Sequence, residues 1–206
     1  MSSTTMEVSD ASCRARIYEF LATVFSAAPT DEMVLAVQTM AEYLALERLG
    51  PWTSQELQHE YMELFVVPNP RYVAPYESVF CDPTTPSTED EMANPADGIR
   101  AARGLLMGES AESVRRFYED AGVIAREALP DHIATELGFM AWLWNQQAVR
   151  DASGAAVIAR LREKFRADHL ERWIGALRDE VAERDRLGFY LAALSLTEAV
   201  LQSDGA

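Results

Sequence analysis

Leu129-Pro130-Asp131-His132-Ile133-Ala134-Thr135-Glu136-Leu137-Gly138-Phe139-Met140-Ala141-Trp142-Leu143-Trp144 is the stretch that decides the fold. Pro130 followed by Asp131 reads as a helix start, because an aspartate side chain can accept a backbone N–H that the first turn leaves unpaired. Ile133, Leu137, Met140, Trp142, Leu143 and Trp144 follow at helical rather than alternating spacing. Towards the C-terminus, Ser153 starts a further helix, and a break near Asp168 or His169 leads into Leu170, Trp173, Ile174 and Leu177. The last helix, Arg186 to Gln202, is apolar around much of its circumference, as a central core helix is.

Towards the N-terminus the same periodicity recurs. Ala111 to Ala121 reads as a helix closed by Gly122, and helical spacing also links Ile99, Leu105 and Leu106. Residues 66–97 differ in kind. Pro68, Pro70, Pro75, Pro83, Pro86 and Pro95 lie among polar residues and predict a long loop, of the sort that is usually functional or disordered. Before it, Thr53 with Glu56 is a capping-box signature for a helix to about Phe65, after the Gly50-Pro51 break. Thr30 starts a helix through Val34, Val37, Met40 and Leu44. Ser9 or Asp10 caps the first helix, through Ile17, Leu21, Val24 and Phe25, which Pro29 ends. No run alternates strictly as a half-buried strand would, and there is no internal repeat. The reading is all-α: one domain of about eight or nine helices with a long Pro-rich loop. An N-terminal helical group over 9–127 joins a C-terminal group over 132–203 through a stiff hinge at 128–131.

The chain has 206 residues, of which 49% are hydrophobic and 25% charged, an ordinary globular mixture with enough length for a core. Cys13 and Cys81 are its two cysteines, which excludes a disulfide framework and predicts a reducing compartment. Its first twelve residues carry Glu7 and Asp10 without Lys or Arg, unlike a signal peptide, and no apolar run approaches the roughly 20 residues of a membrane span. A soluble, cytoplasmic protein is expected, without stable membrane insertion. The net charge of −15 argues against nucleic acid as a partner. Residues 31–97 hold 13 acidic residues against Arg48 and Arg71. Such a face is either plain solvation or a docking field for a cationic ligand.

Catalytic patterns are weak. Glu56-x-x-His59 has the spacing of a di-iron helix, but neither His132 nor His169 completes a second such pair. His132 and Glu136 at i and i+4 are two ligands, which is no metal site. There is no phosphate-binding Gly-rich loop, nucleophile elbow or Cys-x-x-Cys. No enzyme activity, metal or cofactor is expected.

Three segments stand out by composition: Tyr61 to Pro68, Pro75 to Phe80, and Leu129 to Met140. Each has a packing explanation, with Tyr61, Leu64 and Phe65 as core, Pro75 and Tyr76 pinning a loop, and Asp131 as an N-cap. Together they resemble the TorD/DmsD family of cytoplasmic chaperones, the redox enzyme maturation proteins that include NarJ-like members. The family pattern is aromatic-x-x-Leu-Phe-x-x-Pro, then Pro-aromatic-x-Ser-Val-aromatic, then Pro-Asp-His-Ile-x-x-Glu-Leu-x-Phe-Met. Phe165, His169-Leu170 and Trp173 match its C-terminal stretch, and the resemblance spans residues 14–200. Val67 stands where a glycine is common, and Tyr76 where a tryptophan often occurs.

The resemblance implies a TorD-like all-helical fold and a non-enzymatic role. Such a protein binds the precursor of a molybdopterin-containing oxidoreductase, through its basic twin-arginine leader, during cofactor insertion and before export or assembly. It implies a client groove at Tyr61, Leu64, Phe65, Pro75, Tyr76, Glu77, Ser78, Asp131, His132 and Glu136. Glu77 and Asp131 suit the leader's arginines, since guanidinium and carboxylate pair through two parallel hydrogen bonds. His132 beside a carboxylate offers a charge tunable near pH 6.5. The resemblance allows a monomer or a domain-swapped dimer. The other readings are a helical adaptor with an acidic docking face or a weak nucleotide-binding protein.

Overall fold

A computed structural model of the chain describes residues 3–43, 52–82, 106–124 and 129–205, with the side chains of 3–9 and 40–43 left aside. Helix α6, Ile133–Val149, is the element around which the others assemble. Its Ile133, Leu137, Met140 and Leu143 are fully buried. Helix α1, Ser3–Ser26, runs along one side of it and helix α7, Ala152–Phe165, along another. Helix α8, Glu171–Arg184, packs on α9, Phe189–Gly205, and α9 on α2, Asp31–Tyr43. Helix α3, Ser54–Tyr61, short helix α4, Glu77–Cys81, and α5, Glu109–Asp120, complete the described residues. All described secondary structure is helical except one isolated antiparallel bridge, Tyr76 to His132.

Local chemistry explains most of the helix ends. Thr53 and Glu56 form the reciprocal capping box at α3, and Thr30 Oγ accepts from Met33 N at 3.3 Å at α2. Asp151, two residues before the expected Ser153, caps α7 by accepting from Gly154 N at 2.8 Å. Asp185 accepts from Leu187, Gly188 and Leu191 N–H groups, which turns residues 186–188 and moves the start of α9 from the expected Arg186 to Phe189. Gly122 closes α5 with φ 74°, a left-handed conformation that favours glycine.

Several expectations need correction. Helix α1 begins at Ser3 rather than at a Ser9 or Asp10 cap, since no proline or glycine interrupts the residues before them. The expected break at Asp168 or His169 is a π-helical turn, Arg166–Leu170, that carries α7 into α8, and a second such turn, Met62–Val66, extends α3. A π-turn inserts an extra residue without ending the helix, so its hydrophobic spacing slips and looks like a break. Within the Pro-rich stretch, residues 77–81 are helical rather than loop. Residues 83–97, the helical spacing at Ile99 and Leu105, and the first residue of the expected hinge lie outside the described residues. Pro130 and Asp131 of that hinge are buried, and Tyr118 donates its hydroxyl to Pro130 O at 2.9 Å.

The C-terminal helix is fastened by one carboxylate. Asp204 accepts from Arg14, from Tyr18 Oη at 2.7 Å and from Trp144 Nε1 at 3.2 Å, with its side chain fully buried. It therefore joins α9 to both α1 and α6, and Arg162 stacks on the opposite partner, 3.5 Å above the Trp144 ring. None of the helices among the described residues is long and apolar enough to cross a membrane. Asp204→Ala should lower stability by about 3 kcal/mol, because three donors lose a buried partner at once. A urea midpoint equal to that of the parent protein would show that the clasp contributes nothing.

Candidate functional site

The site begins with two short segments laid antiparallel. Ile133 N donates to Pro75 O and Glu77 N to Asp131 O, both at 3.0 Å, which pairs Tyr76 with His132. Their rings meet edge to face at 5.0 Å. Asp131 is not the cap of its own helix, contrary to expectation. Its Oδ2 accepts from Ser78 N at 2.9 Å, so this carboxylate caps α4 across the pairing. The N-cap of α6 is His132, whose Nδ1 accepts from Ala134 N at 3.1 Å.

That bond settles the histidine's chemistry. With Nδ1 occupied as an acceptor, the neutral ring carries its proton on Nε2 and offers a donor. Burial pushes the imidazole down to about 4, partly opposed by Asp131. His132 is thus uncharged at neutral pH, and the expected tunable charge near 6.5 is absent because protonation would cost both solvation and the cap.

Behind the pairing lies a buried polar group. Glu77, Asp131 and Glu136 have no exposed surface, and His169 has 1%. His169 Nδ1 sits 2.7 Å from Glu77 Oε2, and Arg172 reaches Glu77 Oε1 at 3.5 Å. The His169 ring is wedged between Phe117 and Phe165. Trp173 Nε1 donates to Glu136 Oε2 at 3.2 Å. Burial above all, then the charges of Glu77 and Asp131, hold Glu136 well above the ordinary carboxyl range, partly opposed by the Trp173 hydrogen bond. The π-turn brings His169 to Glu77, so the family's C-terminal stretch completes this cluster.

In front of the pairing is a cleft of about 660 Å³ between the last residue of α1, the end of α5 and one face of α6. Thr135, Gly138, Phe139 and Trp142 line it from α6, with Tyr76 and His132 forming one wall. Tyr118, Val123 and Ile124 contribute from the α5 side, and among the described residues no charged side chain lines it. Phe139 and Trp142 stack with planes 8° apart.

The expected site residues therefore divide. Tyr76 and His132 line the cleft. Pro75, Glu77, Ser78, Asp131 and Glu136 are buried behind it and offer no surface to a peptide. Leu64 and Phe65 are in the core, Phe65 within the aromatic cluster of Phe25, Tyr61 and Tyr190. Tyr61 is half-buried in that cluster and does not line the cleft. Of the acidic residues expected to form a field, Glu60 and Glu63 bind Arg71, and Asp31, Glu32 and Glu56 are exposed. Sequence reasoning missed Thr135, Gly138, Phe139 and Trp142 as a surface, although their helical spacing marks one face. Nothing in the sequence distinguishes Val123 and Ile124 as cleft residues.

Catalytic and metal chemistry find little support. Among the described residues no group of three His, Cys, Asp or Glu side chains is arranged to hold a metal ion. Glu56 is engaged in the α3 capping box and His59 is exposed. Burial and Glu77 push the Cys81 thiol up to about 11, so it is protonated and a poor nucleophile.

Residues 27–179 match the family model described as nitrate reductase delta subunit. The chain is 26% identical over 156 residues to the chaperone protein TorD of Shewanella piezotolerans, covering 72% of this chain and 60% of that protein. It is 37% identical over 79 residues to the selenate reductase assembly chaperone protein of Thauera selenatis, covering 36% of this chain and 41% of that one. The chain thus spans less than two thirds of either relative's length.

Two pH dependences follow from the buried groups. In the folded chain Glu136 retains a proton that the unfolded chain releases above about pH 4.5, so stability falls as pH rises from there through its raised value. Glu136→Gln mimics the protonated acid, and its unfolding free energy should decline less between pH 5 and 9 than that of the parent; parallel curves would refute the buried proton. His132 acts in the opposite sense. Its folded value near 4 lies below the unfolded 6.5, so stability falls as pH drops from 6.5 to 4, by at most about 3 kcal/mol. His132→Asn, which keeps a capping side chain, should flatten that limb of a chemical-denaturation series.

Proposed function

The chain belongs to the nitrate reductase delta subunit family, and from that premise we propose that it is a cytoplasmic assembly chaperone for a molybdopterin-containing oxidoreductase. It binds the precursor of the catalytic subunit through its twin-arginine leader while the cofactor is inserted, and releases it for export or assembly. The role is binding, not catalysis. Two relatives that carry chaperone names support this reading.

The observation that carries it is the cleft: apolar, without charge among the described residues, and walled by Tyr76 and His132 from two of the family's motifs, in a chain of net charge −15. A twin-arginine leader is a basic segment beside an apolar one. Its apolar half gains by leaving water for Tyr76 and Trp142. The His132 Nε2–H is a donor for a backbone carbonyl of the bound segment. Its basic half meets the ends of α1 and α5, where terminal carbonyls carry partial negative charge and Glu119 and Asp120 are exposed. The arginines pair with these outer carboxylates, since Glu77 and Asp131 are sealed behind the wall.

The test is co-purification of tagged chaperone with an oxidoreductase precursor and with the same precursor lacking its leader. Recovery of the first and not the second is expected; equal recovery of both would move the contact to the mature fold, and recovery of neither would sink the assignment. Association of a twin-arginine peptide should slow as salt rises from 0.1 to 1 M, since the Debye length falls from about 10 Å to about 3 Å. A flat salt dependence in stopped flow would remove electrostatic steering. Leu64→Ala and Tyr76→Ala should separate stability from binding. The first should cost about 2–5 kcal/mol of stability as a core truncation, and the second should weaken peptide binding at least about tenfold with a small change in midpoint. Equal peptide affinities for Tyr76→Ala and the parent would remove Tyr76 from the site.

A further inference from the structure

Gly138 sits in the middle of α6, where glycine weakens a helix relative to alanine. A structural reason for it would be a positive φ or a close neighbour. Among the described residues neither is found: its φ is not positive, and a Cβ built there meets nothing within 4 Å. By contrast, a Cβ on Gly108 would come within 2.4 Å of Asp82 Oδ2, so that glycine is required by its neighbour. The open space at Gly138 is the cleft itself. Thr135 lies one turn before it and Trp142 one turn after, both lining the same cavity. The missing side chain makes a notch in the cleft floor, between the Tyr76 and His132 wall and the stacked Phe139 and Trp142 rings.

We propose that Gly138 is the specificity-determining residue of this cleft: its notch receives one large apolar side chain, of leucine, methionine or phenylalanine size, from the apolar segment of the client's leader. This rests on the reading of the cleft as a leader site. The choice of occupant follows from the lining. Among the described residues no charged side chain faces the cleft, His132 is neutral, and the half-exposed rings of Tyr76 and Trp142 favour an apolar or aromatic guest over a polar one. The acidic balance of the chain favours a ligand whose remaining charge is positive.

The experiment titrates a synthetic peptide, two arginines followed by a leucine-rich segment of about twelve residues, into the parent, Gly138→Ala and Gly138→Leu. Trp142 is the half-exposed tryptophan, with Trp52, Trp144 and Trp173 buried, so its fluorescence reports occupancy, and Trp142→Phe checks the source of the signal. Gly138→Ala should fold with a raised midpoint and bind several-fold more weakly. Gly138→Leu should remain folded and bind at least about tenfold more weakly, the worth of excluding one buried leucine-sized side chain. An alanine scan of the peptide should find one bulky position whose truncation weakens binding to the parent and is without effect in Gly138→Leu. Parent-like affinity in a folded Gly138→Leu overturns the notch and leaves the leader reading standing. Failure of the parent itself to bind the peptide overturns both.

Discussion

Two backbone hydrogen bonds and one carboxylate, joining Pro75–Ser78 to Asp131–Ile133, set the positions of both the cleft and the buried cluster. The segments are over fifty residues apart, and neither has a neighbouring strand. A two-residue pairing of this kind has little stability of its own. It persists because each end is a helix N-terminus: α4 begins at Glu77 and α6 at Ile133, and each has unpaired N–H groups that the other segment's neighbourhood helps to satisfy. Asp131 supplies the cap for α4 while His132 supplies the cap for α6, so two consecutive side chains terminate two different helices.

The buried acids are the cost of this arrangement. Three carboxyl groups without exposed surface would repel one another if all were ionised. Different partners relieve each: backbone N–H for Asp131, His169 and Arg172 for Glu77, and a retained proton with Trp173 for Glu136. Such a network is strongly geometric, and its members come from three separate stretches of chain. It holds Tyr76 and His132 at the cleft wall with fixed orientation. The residues shared with the family motifs thus split into a supporting layer and a contacting layer.

The cleft in this protein is made by what the core leaves over. Helix α6 buries Leu137, Met140 and Leu143 on one side and turns Thr135, Gly138 and Trp142 to the cleft. Phe139 serves both faces, touching Tyr118 and Phe165 within the core and stacking on Trp142 at the surface. An apolar cleft in an acidic chain separates two kinds of attraction in space. Long-range charge acts on approach and short-range burial acts on contact.

The periodicity of apolar residues, the capping residues Thr30 and Thr53, and Gly122 were enough to specify an all-helical chain, because these signals act within one or two turns. The three unusual segments were also legible, together with the family they mark. Their roles were not. Side chains at i, i+3 and i+4, such as Tyr61, Leu64 and Phe65, look alike whether they face a core or a groove, and a π-turn rotates them in a way that spacing does not encode. Asp131 looked like a cap for the helix that follows it, since sequence reveals only neighbours along the chain. Its true partner, Ser78, is fifty-three residues away and was decided by packing. For the same reason a glycine in a helix carries no local meaning, and only the tertiary arrangement around Gly138 turns the absent side chain into space.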